Sequence, residues 1–134
     1  MMRQAAWEDA EERLQRRLSL PDLQLTGLDW RTLGCWQREW VPTPDRDGGW
    51  DWVVEKRCLK SKYSRFEVAI WCSHTLCGLA IGKPSPAKRF LRVHLLEGNP
   101  DNNHPLRGSV ADCVIEAAGA YARLLGSEEL RIMK

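Results

Sequence analysis

The chain has 134 residues, 43% apolar and 28% charged, with a net charge of +2 and a pI near 8.3. This length suits a single domain, 1–134, with a core of its own. The charge is too mild to argue for a nucleic-acid partner, and no apolar run approaches the roughly 20 residues that span a bilayer.

Residues 3 to 18 read as a helix, because Ala6, Trp7, Ala10, Leu14 and Leu18 recur at three- and four-residue spacings. Acidic residues at Glu8, Asp9, Glu11 and Glu12 precede Arg13, Arg16 and Arg17, an order that suits the helix dipole. Pro21 ends the segment, and Leu23-Gln-Leu25 is a short strand candidate. Leu33, Trp36 and Trp40 can form one helical stripe. A loop from Pro42 to Gly49 leads to a helix over Trp50–Lys60, entered from Asp47 or Gly49, with Trp52, Val53 and Leu59 inward.

The pattern then turns to strands. Arg65–Trp71 alternates, Ser73-His74-Thr75 occupies a turn, Leu76–Ile81 returns, and Gly82–Pro86 breaks the run. Arg89–Leu96 is a third strand, so residues 65 to 97 form an antiparallel meander. After a polar loop, Ser109–Leu125 is a helix with Val110, Val114, Ala117, Ala118, Tyr121, Leu124 and Leu125 on one face. Gly126 suits its C-terminal cap, and Leu130-Arg-Ile-Met133 is a final strand.

The N-terminus has no signal-peptide h-region, so the expected location is cytoplasmic. The five cysteines, Cys35, Cys58, Cys72, Cys77 and Cys113, are then expected to be free thiols. Cys72, His74 and Cys77 fit no common zinc spacing; Cys72 and Cys77 flank a hairpin turn, and no metal site is expected. The seven tryptophans, five of them between Trp30 and Trp52, suit core packing or a partner surface.

Strand, turn, helix and parallel strand follow one another from Arg89 to Met133. A turn that opens a helix offers free N–H groups and a positive dipole end, where phosphate binds well. In this order of elements the chain resembles the GNAT superfamily of N-acetyltransferases. The resemblance covers roughly residues 64 to 133. Phe66–Trp71 and Leu76–Gly82 look like the superfamily's central hairpin, Val93–Gly98 like its cofactor strand, and Arg107–Ala111 like its pyrophosphate loop. It implies an α/β (α+β) fold with a mainly antiparallel central sheet flanked by helices, truncated at the C-terminus. The superfamily usually continues with a helix and two strands that supply part of the acceptor site.

The implied activity is that of an acyltransferase, moving acetyl from acetyl-CoA to an amine. Glu97 and His94 are its candidate catalytic residues, as proton acceptors. Leu95 and Leu96 would lend backbone groups to pantetheine, and Arg107, Gly108, Ser109 and Val110 would contact the pyrophosphate. Ser109 equally suits a plain N-cap. The loop departs from the superfamily's pattern. Counting from Arg107, its small positions fall on Val110 and Asp112; counting from Pro105, they fall on Gly108 and Val110. The alternative is a non-catalytic protein-binding module on the same scaffold. A homodimer could complete its sheet, and neither nucleic acid nor membrane is an expected partner.

Overall fold

The structure is a computed structural model that describes residues 2–44, 46, 49–59 and 65–132. Helix α1 (Met2–Leu18) buries Ala6, Ala10 and Leu14 at four-residue spacing. Its first turn holds no acidic residue; the acids sit in the second and third turns, where they pair instead with arginines, Glu12 with Arg16 at 2.8 Å. Strand β1 (Leu23–Thr26) follows. Helix α2 (Trp30–Cys35) is capped by Asp29, whose carboxylate accepts from Thr32 N–H at 2.8 Å. It widens into a π-helical turn (Trp36–Trp40), closed by Val41 N–H donating to the Trp36 carbonyl. The expected stripe is real: Trp36 and Trp40 are buried and Leu33 packs beside them.

Helix α3 (Trp52–Leu59) begins two residues later than expected, and Lys60 lies outside the described residues. Asp51 accepts from Val53 and Val54 N–H, so it supplies the entry in place of Gly49; Asp47 lies outside the described residues. Trp52 points inward and Val53 partly so, while the expected inward side chain of Leu59 lies outside the described residues.

Strands β2 (Phe66–Cys72), β3 (Thr75–Pro84) and β4 (Phe90–Gly98) form the meander, and helix α4 (Val110–Leu125) leads to β5 (Glu129–Ile132). The five strands form one sheet in the order β1-β2-β3-β4-β5, antiparallel except for the parallel pair β4–β5. Ser73 and His74 both have positive φ, as a two-residue hairpin that matches strand twist requires. The expected break at Gly82 is not one. β3 runs on to Pro84, and Gly82 is needed because a Cβ there would collide with the Arg92 carbonyl of the neighbouring strand.

Each face of the sheet has its own core. One carries α1 and α4, with Phe66, Val68, Ile70, Val93, Val114, Ala118 and Tyr121 among its buried side chains. The other carries α2, the π turn and α3 over Ala69, Leu76, Leu79 and Ile81, with Trp36, Trp40 and Trp52. On α4, Leu124 is 46% exposed and not inward as expected; Cys113 is buried in the apolar face instead. Gly126 caps that helix with φ +77. Among the described residues no helix is long and apolar enough to cross a membrane.

Candidate functional site

The pairing of β3 with β4 slips at one point. Ile81 pairs with Leu95, but the next residue, Gly82, pairs with Val93, so His94 is an extra residue in β4. The bulge changes which face each later side chain takes. Leu91 and Val93 point to the α1/α4 core, and without a bulge Leu95 would join them. Instead Leu95 packs with the tryptophan core and Leu96 with the α1/α4 core. The parallel pairing with β5 reaches Val93↔Ile132 at the same level. Beyond it, from Leu95 to Gly98, β4 has no partner on its outer edge among the described residues.

Glu97 follows Leu95 onto the tryptophan face and is held there by three donors. Arg46 donates to both carboxylate oxygens, Nε at 2.7 Å and Nη2 at 3.1 Å, and the Trp52 indole donates at 2.7 Å. The pair is largely sheltered, with side-chain exposures of 14% for Arg46 and 11% for Glu97. Hydrogen bonding to Glu97 raises the Arg46 pKa above its already high value, against the opposing effect of burial. Arg46 also lies over the Trp36 ring, 5.4 Å from its centroid. Glu97 thus ties the segment before α3 to β4.

His94, at the bulge, is the opposite case. Its Nε2 is buried without a hydrogen-bond partner among the described residues. Burial lowers its pKa, and Lys83 and Arg92 lower it further, so the imidazole is neutral near pH 7.

The start of α4 lies above the end of β4. Gly78 and Gly98, paired across β3 and β4, let it come close: a Cβ on Gly78 would stand 2.5 Å from Val110 Cγ1. Val110 therefore turns its side chain down into the core and leaves only its backbone at the helix mouth. Ser109 occupies the cap position, yet its hydroxyl makes no capping bond, contrary to the plain N-cap reading. The first-turn N–H groups of α4 are accordingly without a side-chain cap. Gly108 precedes them with φ +83, a left-handed conformation that favours glycine, and its Cβ position faces open space. Arg107 and Asp112 are exposed on either side.

Tyr121 is buried against Phe66, ring centroids 5.9 Å apart, in keeping with a core role. All five cysteines are free, and among the described residues no group of metal-binding side chains assembles. Arg46, Trp52, Lys83 and Arg92 were not legible as site residues in the sequence. Their only signal, an arginine two residues before a strand histidine, gains meaning once the strand register is known.

No protein-family model matches the sequence, and no curated protein matches it. Solved structures do. An aminoglycoside acetyltransferase from an uncultured soil metagenomic sample, solved with sisomicin, is 11% identical with a TM-score of 0.56, over 85% of this chain and 78% of that one. The aminoglycoside N-acetyltransferase AAC(6')-Iy, solved with CoA, is 11% identical with a TM-score of 0.56, over 84% and 76%. A ribosomal-protein-alanine N-acetyltransferase from Brucella melitensis biovar Abortus 2308 is 17% identical with a TM-score of 0.53, over 83% and 77%. At such identities the likeness is one of fold, and the fold of this chain is GNAT-like.

Proposed function

We propose that the chain is an acetyl-CoA-dependent N-acetyltransferase whose cofactor lies along the outer edge of β4 and reaches the mouth of α4. One coincidence carries this reading. Among the described residues β4 has no outer partner beyond its bulge, and the uncapped helix mouth stands at the far end of that same edge. The residues fit a pyrophosphate. Gly108 leaves room, Val110 contributes only backbone, and Arg107 supplies a cation, with Asp112 the one opposing charge. Arg107, Gly108, Ser109 and Val110 would hold the phosphates, and the main chain of Leu95 and Leu96 would pair with pantetheine amides. The similar structures solved with CoA or a CoA analogue support acetyl-CoA as the cofactor.

Bound acetyl-CoA supplies the acyl electrophile. His94 takes the proton of the attacking amine at its unpartnered Nε2, a nitrogen able to accept when Nδ1 carries the hydrogen. Glu97, already accepting three hydrogen bonds, acts as a positioning residue that fixes Trp52 and Arg46 beside the reacting group. Activity should fall as pH drops through the lowered His94 pKa, because the protonated imidazole no longer accepts. His94→Gln should cost on the order of a hundredfold in kcat and remove that acidic limb. Glu97→Gln should keep the limb. An unchanged pH profile in His94→Gln would overturn this division of roles.

One observation favours the second reading, a protein-binding module. Trp30 is 82% exposed at the rim of a cavity of about 400 Å3, next to Arg31, Arg38 and Trp71. Failure to bind acetyl-CoA at millimolar concentration would transfer the assignment to that surface.

A further inference from the structure

Between the β3–β4 turn and the bulge lies a recess of about 130 Å3, outside the edge assigned to the cofactor. Lys83, Pro84, Ser85 and Pro86 form one wall, and Phe90, Arg92 and His94 the other. The strand register explains its charge. Lys83 pairs with Arg92 across β3 and β4, and Arg92 pairs with Arg131 across β4 and β5. Three cations thus stand in one row across three strands. Like charges directly opposite one another destabilise a sheet unless something compensates.

The compensation on the page is partial. Arg131 bonds to Glu129 at 2.9 Å and stacks on the Phe90 ring, 3.8 Å from its centroid. Arg92 also lies over Phe90, at 5.4 Å. Arg65, just before β2, is already bonded to Glu67 at 2.8 Å. No carboxylate among the described residues pairs with Lys83 or Arg92. Arg92 Nε and His94 Nε2 are both buried without a hydrogen-bond partner there. Two buried polar nitrogens and a free ammonium therefore surround a space the size of a small oxyanion. Leaving Arg92 Nε unpaired is costly, and an oxyanion would satisfy it together with the Lys83 ammonium, while His94 Nε2 stays open to take a proton from an amine. Ser85 does not close the recess. Its hydroxyl accepts from Arg89 and Phe90 N–H and so braces the turn.

We propose that this recess binds an anionic oxygen group, phosphate or carboxylate, and that the amine acceptor carries that group. The acceptor half rests on the acetyl-transfer reading above; the anion half does not. Lys83 and Arg92 grip the oxyanion, Phe90 floors it, and the amine of the same molecule lies toward His94. Polycationic amines are repelled from the row and are poor acceptors.

Nuclear magnetic resonance of the His94 ring, identified by its loss in His94→Gln, tests the anion site in the whole chain. Inorganic phosphate and O-phosphoethanolamine should each shift the His94 signal and raise its pKa, since a nearby anion favours the imidazolium. Ethanolamine, the same amine without its phosphate, should leave it unmoved. Lys83→Gln, at an exposed position, should weaken phosphate binding by roughly tenfold, and Arg92→Gln by more. No response of His94 to phosphate, or an undiminished response in Lys83→Glu, would overturn the site. With acetyl-CoA present, O-phosphoethanolamine should be acetylated at least about ten times faster than ethanolamine or spermidine. Equal rates, or acetyl-CoA binding without transfer to any of the three, would overturn the acceptor assignment. If acetyl-CoA does not bind at all, the transfer reading fails, and the response of His94 to phosphate still decides the site.

Discussion

The two faces of the sheet differ in what they bury. The α1/α4 face is closed by small and apolar side chains, with the Tyr121 ring and the thiols of Cys72, Cys77 and Cys113 among them. The tryptophan face buries Glu67, shelters the Glu97–Arg46 pair, and leaves Arg92 Nε and His94 Nε2 without partners among the described residues. Its helices are short, and one turn is π-helical. Polar groups are costly to bury, so they collect where an array can satisfy them or a ligand can. One face is closed on apolar contacts, and the other arrays buried and sheltered polar groups.

The sharpest break of that contrast is on the apolar face. Val114→Asp places an unpaired charge in a site with no exposure, at a cost of about 4 kcal/mol or more. Circular dichroism should find the variant unfolded. A folded variant would mean that this face tolerates charge as the other does.

Glu67→Gln asks how the other face tolerates it. Burial pushes this carboxyl up, but the Leu28 N–H, Lys56 and Arg65 outweigh burial, and the net pKa lies below the ordinary value. The stabilisation is thus present above the ordinary carboxylate range and lost as pH falls through the lowered folded pKa. The variant should lose about 3 kcal/mol in urea unfolding at neutral pH and approach the wild type in acid. A deficit independent of pH would show that shape, not charge, is what Glu67 supplies.

Arg46→Ala should cost less, about 2 kcal/mol, because the pair is not wholly desolvated. It should also change the fluorescence of Trp52, whose indole shares Glu97. A stable variant with unaltered emission would remove Glu97 as an organising residue.

The smallest effect concerns thiols. Burial pushes Cys35 up to about 12, and Cys77 and Cys113 to about 11, while Cys58 is exposed. Alkylation of the folded protein should modify Cys58 within the time that leaves the buried four intact. Rapid loss of a second thiol would expose an opening in one of the cores.

The α1/α4 face was the legible one. The spacing of Ala6, Ala10 and Leu14, the face of α4, and the cap at Gly126 are local patterns that burial enforces. Leu124 failed because it sits at the margin of a helix face that the sheet does not reach. The other face was obscure for a physical reason. The bulge at His94 reverses side-chain parity, so plain alternation misplaces Leu95 and Glu97. Gly82 reads as a breaker when it is the residue that admits the bulge. Arg46, Trp52 and Glu97 are brought together from positions up to 51 residues apart, which no local pattern encodes.

Calorimetric titration of acetyl-CoA into the wild type and Gly108→Asp, at conditions of matched stability, tests the central claim most directly. The substitution puts a carboxylate at the uncapped mouth of α4, in open space, and adds about 1 kcal/mol of left-handed strain that folding must bear. The account predicts stoichiometric binding to the wild type, weakened by on the order of tenfold in the variant. Equal affinities, or no binding to either protein, would contradict it.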